Sequence, residues 1–169
     1  RPKVHSGHLK CHESIFARVV PVVREALKQQ PRGANGRKIY LTGHSLGGSL
    51  ASLAALDLTQ EFGTGVNGIN VCLYTFGQPR VGNHAFAELF DQCVPDCQRV
   101  VNDGDAITGM PKLVRLYKHF GREIIIDPLG NRIEQPTFVE RFLRTAGRRG
   151  LTPHRMGGYL AAVNAVYRL

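Results

Sequence analysis

The chain has 169 residues, 43% of them apolar and 21% charged, a mixture that suits one globular domain over residues 1–169 and argues against a disordered tail or a coiled coil. Lysine and arginine number 22 against 13 acidic residues, a formal charge of +9 that favours contact with anions such as a phospholipid surface and says nothing about fold. No apolar run approaches the ~18 residues that cross a bilayer, no leader pattern follows Arg1-Pro2-Lys3, and four cysteines are too few for a disulfide scaffold.

Ser14 to Gln30 reads as a helix, because Ile15, Val19, Val22, Val23 and Ala26 recur on one face. Pro21 within it predicts a kink or a late start. After a turn-rich stretch from Pro31 to Gly36, Lys38 to Thr42 forms a short strand that Gly43 ends. Ser49 to Phe62 is a helix closed by Gly63, and its small residues suggest close packing on a sheet. Ile69 to Phe76 is a strand, Asn83 to Gln92 an amphipathic helix, and Arg99 to Val101 a strand that ends in the polar loop Asn102-Asp103-Gly104-Asp105. Leu113 to Tyr117 and Glu123 to Ile126 are expected to form a hairpin around Gly121, with a turn at Pro128 to Asn131. Helices near Thr137 to Ala146 and Met156 to Tyr167 finish the chain. No repeat interrupts this alternation, so the expected fold is a mostly parallel α/β sheet.

Gly43-His44-Ser45-Leu46-Gly47 is a G-x-S-x-G sequence between a predicted strand and a predicted helix. The five-residue pattern alone is modest evidence, and a glycine-rich turn capped by Ser45 is its bland alternative. The strand–turn–helix setting turns it into a nucleophile motif. Side chains at Gly43 and Gly47 are expected to clash with backbone in so tight a turn. The helix that follows aims free amides at the serine, which makes the Leu46 N–H an oxyanion donor.

A serine hydroxyl needs a histidine to accept its proton and a carboxylate to orient that histidine. In this architecture the chain order is serine, acid, histidine, which leaves His84, His119 and His154 as bases and Asp103, Asp105 and Asp127 as acids. Cys93 and Cys97 are spaced for pairing or metal, but no second Cys/His pair stands at zinc spacing, so structural or free thiols are expected.

From Val4-His5-Ser6-Gly7 to the last helix, the sequence resembles the fungal-type (class 3) lipases. The likeness is carried by Gly43-His44-Ser45-Leu46-Gly47-Gly48, Thr75-Phe76-Gly77-Gln78-Pro79-Arg80-Val81-Gly82-Asn83 and His154-Arg155-Met156-Gly157-Gly158-Tyr159-Leu160. It also includes Asn102-Asp103-Gly104-Asp105-Ala106-Ile107 followed by Met110-Pro111. The resemblance implies an α/β-hydrolase fold with helices on both faces of the sheet. It points to Asp105 as the acid, since the aliphatic Ile107 and Pro111 stand at the family's spacing from it and Asp103 fits neither. It points to His154 as the base and leaves His119 structural. His44 falls at a variable position, and His5 is expected to shape the site without titrating. Thr108 stands where the family usually has proline.

The implied triad is Ser45, Asp105 and His154, with no metal or organic cofactor. The implied activity is hydrolysis of carboxylic esters, acylglycerols above all, through an acyl-enzyme. Acyl transfer on the same triad and a non-catalytic scaffold are the alternatives. The family's second oxyanion donor and lid helix lie upstream of the position matching His5, so the sequence is expected to be a fragment with Ile39 to Thr42 at an exposed sheet edge. Arg141, Arg144 and Arg148 share one helical face, read first as a solvated face and second as a lipid-facing patch at a membrane or lipid droplet. No nucleic-acid module accompanies them.

Overall fold

The computed structural model describes residues 1–31, 36–65, 67–111, 116–137, 139–140 and 150–168. Helices are α1 (Ser6–Gln29), α2 (Leu46–Phe62), α3 (His84–Cys93) and α4 (Met156–Tyr167). Strands are β1 (Arg37–His44), β2 (Ile69–Phe76), β3 (Asp96–Asn102), β4 (Arg122–Ile126) and β5 (Arg132–Glu134). They form one sheet in the order β1-β2-β3-β4-β5. The first three pairings are parallel and the last is antiparallel. This is the mostly parallel sheet that the alternation of elements implies, and β1 stands at one of its edges.

Strand alternation divides the core into two layers. Ile39 lies beside Val71, and Leu41, Leu73 and Cys97 form the next row across β1, β2 and β3. That face packs against α1, α2 and α3 through Leu27, Leu53, Leu56, Phe86 and Phe90. On the opposite face Phe76, Val100 and Ile124 form a row under Tyr159, Ala162 and Val163 of α4. Helices therefore cover both faces. On the face that α4 occupies, the β1 side chains Lys38, Tyr40 and Thr42 remain exposed.

α1 begins at Ser6, well before Ser14. Apolar counting passes over His12, which is buried with its Nε2 2.7 Å from Asp57 Oδ2 on α2 and so holds an inward position as a polar residue. Pro21 stays inside the helix, where its missing donor deprives only the carbonyl of Ala17 on the exposed side.

The hairpin is not built around Gly121. β4 instead pairs parallel with β3, and its antiparallel partner is β5, across the turn at Asp127 to Asn131. Ile124, Ile125 and Ile126 are all buried, the signature of a strand covered on both faces. Of the predicted Leu113 to Tyr117 strand, 113–115 lie outside the described residues. So do 141–149, which hold most of the predicted Thr137 to Ala146 helix along with Arg141, Arg144 and Arg148.

Candidate active site

Three parallel strands deliver the site at their C-terminal ends. β1 runs into Ser45, β2 into Gly77, and β3 into the loop that carries Asp105. Ser45 sits between β1 and α2 with φ 56° and ψ −125°, a region that a residue with a side chain rarely occupies. Its N–H donates to Phe76 O at 2.8 Å, and its own carbonyl accepts from Gly48 N at 3.0 Å. Those two bonds stabilise the strained residue. Leu46 opens α2, so its N–H is among the first-turn donors with no intrahelical acceptor.

The glycines of this turn are not equivalent. A Cβ at Gly43 would lie 2.3 Å from Gly47 O, closer than atoms can approach. One at Gly47 meets nothing within 4 Å, which corrects the expectation of a clash there. The second crowded position is Gly48, whose added carbon would lie 3.1 Å from Gly43 O. The strand end and the start of the helix press together along Gly43 and Gly48, while Gly47 faces open space.

Ser45, His154 and Asp105 lie in one row. Ser45 Oγ is 2.8 Å from His154 Nε2, and His154 Nδ1 is 2.9 Å from Asp105 Oδ2. Asp105 is buried. Its Oδ1 accepts from Ile107 N at 2.8 Å, and its Oδ2 accepts a second bond from Tyr159 Oη at 2.7 Å. Burial pushes the Tyr159 phenol well above its usual range, and its bond to Asp105 acts in the same direction, so the group remains a hydroxyl donor. The same hydroxyl oxygen accepts from Asn102 N at 3.0 Å. Gly77 (φ 65°) passes so near that a Cβ there would lie 3.0 Å from both Asp105 Oδ2 and His154 Nδ1.

The other candidates lie elsewhere. Asp127 closes the β4–β5 turn, accepting from Leu129 N and Asn131 N at 3.0 Å each and from Asn131 Nδ2 at 2.8 Å. Asp103 gives its backbone N–H to Ile126 O at 2.8 Å, while its neighbour Asp105 is the one that meets His154. His84 opens α3, and His119 places its Nε2 2.8 Å from Thr108 O. His5 joins the start of α1 to the loop after β2 through its N–H to Val81 O, and its ring lies 4.5 Å from that of His8.

Two neighbours of the row received no role in the reading of the sequence. His44 places Nε2 2.7 Å from the carbonyl oxygen of His154, with the two rings 4.8 Å apart. Its place directly before Ser45 was the available signal. Tyr159 lies within the quoted terminal motif, but nothing local shows that its hydroxyl reaches Asp105.

Among the described residues no group of three or more His, Cys, Asp or Glu side chains is placed to hold a metal ion. Cys93 and Cys97 are free thiols, and burial pushes Cys97 up to about 12, which marks it as a packing residue. No described helix is long and apolar enough to cross a membrane.

The family model for lipase (class 3) matches residues 1–115. The lipase of Rhizomucor miehei is 39% identical over 121 residues, a match covering 72% of this chain and 32% of that protein. The secreted mono- and diacylglycerol lipase 1 of Fusarium solani is 35% identical over 124 residues, covering 73% of this chain and 34% of its own length. The chain thus spans about a third of the length of these relatives. Among solved structures, lipase II from Rhizopus niveus superposes with TM-score 0.66 at 35% identity, over 74% of this chain and 45% of its own. A triacylglycerol lipase whose catalytic centre is formed by a serine protease triad gives TM-score 0.76 at 31% identity, over 90% of this chain and 58% of that one. The α/β-hydrolase fold of these fungal lipases is the fold of this chain. With its match to the family model running over more than half its length, the chain belongs to the class 3 lipase family.

Proposed function

We propose that the protein is a serine carboxylic-ester hydrolase acting on acylglycerols, with Ser45 as nucleophile, His154 as general base and Asp105 as its orienting carboxylate. The observation that carries this reading is the unbroken row Ser45 Oγ–His154–Asp105, mounted on a strained strand-to-helix turn. His154 Nε2 takes the hydroxyl proton as Oγ attacks the ester carbonyl carbon. The tetrahedral oxyanion receives the Leu46 N–H at the start of α2, a donor worth roughly 2.7–4 kcal/mol in other hydrolases. The imidazolium then protonates the leaving alcohol, and the acyl group remains on Ser45. In the second half-reaction His154 takes a proton from water as its oxygen attacks the acyl carbon, the Oγ–acyl bond breaks, the imidazolium returns the proton to Ser45 Oγ, and the carboxylic acid leaves. Asp105 orients the ring through Nδ1 and stabilises the imidazolium.

Acylglycerols are favoured as substrates by the named activities of the similar lipases. Action at a membrane or lipid-droplet surface is supported by exposed apolar side chains that flank the row in sequence: Leu46 beside Ser45, and Leu151, Met156 and Leu160 around His154. Exposed apolar side chains suit contact with acyl chains.

The test is covalent capture of the intact protein by a fluorophosphonate together with turnover of an acylglycerol. Capture at Ser45, lost in Ser45→Ala while the thermal midpoint is kept, supports the reading. Unchanged capture in Ser45→Ala would overturn the nucleophile assignment. Absence of both capture and turnover in the parent protein would make it a non-catalytic scaffold. A product partition moved wholly to a new ester by added glycerol would make it an acyltransferase.

A further inference from the structure

The loop that carries Asp105 is tied down on the side away from His154 by residues that no step of the reaction uses. Thr108 Oγ1 donates to the carbonyl of Asp105 itself at 3.0 Å, closing a short ring across the 3-10 turn Ile107–Gly109. The carbonyl of Thr108 lies 2.8 Å from His119 Nε2. The next three carbonyls all bond to Arg80. Its Nη1 donates to Gly109 O and, at 2.8 Å, to Pro111 O, and its backbone N–H donates to Met110 O at 2.8 Å. Four consecutive carbonyls, 108 to 111, are thus held by two side chains and one amide. Arg80 stands on the segment after β2 that begins with Gly77, the residue lying directly under the Asp105–His154 bond.

We infer that Thr108, Arg80 and His119 are positioning residues for Asp105, acting through the loop backbone to keep Oδ2 aimed at His154 Nδ1. Asp105 makes four contacts that depend on this loop geometry: Oδ1 to Ile107 N, Oδ2 to Tyr159 Oη and His154 Nδ1, and its carbonyl to Thr108 Oγ1. Rotation of the 107–109 turn would break the first and last together and let the carboxylate swing from the imidazole. The Thr108 hydroxyl bond to the Asp105 carbonyl stiffens the turn that carries the carboxylate. All three side chains meet carbonyls of the loop backbone, so their contribution is geometric.

This inference rests on the Ser45–His154–Asp105 reading, and its test separates the two. The parent protein and the variants Thr108→Val, Thr108→Ser and Arg80→Lys are compared on one soluble ester. Thr108→Val keeps the shape and removes the donor, so it leaves folding intact. It should lower kcat about 10- to 100-fold with KM within twofold, as expected when a catalytic group is misplaced and substrate binding is not. Thr108→Ser should restore most of the loss. Arg80→Lys, which loses the guanidinium fork, should lower kcat in the same way. Hydrogen exchange supplies a readout independent of turnover: the amide of Ile107 should exchange faster in Thr108→Val than in the parent. Parent-like kcat and exchange in Thr108→Val would overturn the inference, as would a Thr108→Ser variant as slow as Thr108→Val. Failure of the parent to be captured at Ser45 would instead sink the triad reading.

Discussion

Ser45 and Asp105 follow β1 and β3, with Gly77, which follows β2, between them, and they are held by different kinds of bond. The serine turn is closed by its neighbours. Gly43, Gly47 and Gly48 all lie within three residues of Ser45, and its backbone is tied to β2 by one amide bond to Phe76. The aspartate is held from far along the chain. Tyr159 and His154 reach its carboxylate, Arg80 and His119 grip its loop, and Gly150 bridges its backbone. A strained local turn needs glycine at defined positions, so its requirements are written in consecutive residues. An acid assembled from distant ties depends on every element that supplies one.

This contrast can be broken or sharpened by substitution. Gly43→Ala should have the largest effect, with no capture at Ser45 by a fluorophosphonate, because its Cβ would lie 2.3 Å from Gly47 O. Capture at the parent rate would show that the elbow is not closed by that contact. Asp105→Asn should lower kcat by about 10⁴, as in other triads, while Asp103→Asn stays within a few-fold. The reverse ranking would move the acid two residues upstream. Gly77→Ala should cost about 10²-fold in kcat, since its Cβ would press on both Asp105 Oδ2 and His154 Nδ1 at a positive φ. If KM alone changed, Gly77 would be serving substrate binding instead.

Tyr159→Phe removes one bond to a buried carboxylate, worth about 1.5–3 kcal/mol, and should lower the thermal midpoint along with roughly tenfold of kcat. An unaltered midpoint would show that the hydroxyl does not bear on the acid. Gly47→Ala should have the smallest effect, leaving the fold as stable as the parent or up to about 1 kcal/mol more so, because the site is open and helical. A loss of more than that in chemical denaturation would return Gly47 to the crowded positions.

The alternation of strands and helices and the serine turn were legible because they depend on short-range patterns. β2 and α4 fall at the predicted residues, and Gly63 ends α2 with φ 69° as expected of a closing glycine. Two of the departures from expectation share one reason. His12 is an inward residue of α1 only because Asp57 of α2 meets it, and β4 pairs with β3 and β5 only because its isoleucines are needed on both faces. Neither partner is a neighbour in sequence, so no local pattern announces it.

By itself, then, the sequence determined the alternation of strands and helices, the elbow around Ser45, and the residue types and order from which a serine–histidine–acid row can be built. How His44 and Tyr159 flank the row, and what grips the Asp105 loop, were decided by the tertiary structure. The physical reason is range. Backbone strain and helix or strand periodicity act over a few residues, whereas a hydrogen bond between Tyr159 and Asp105 exists only once α4 has packed over the rows of β2, β3 and β4.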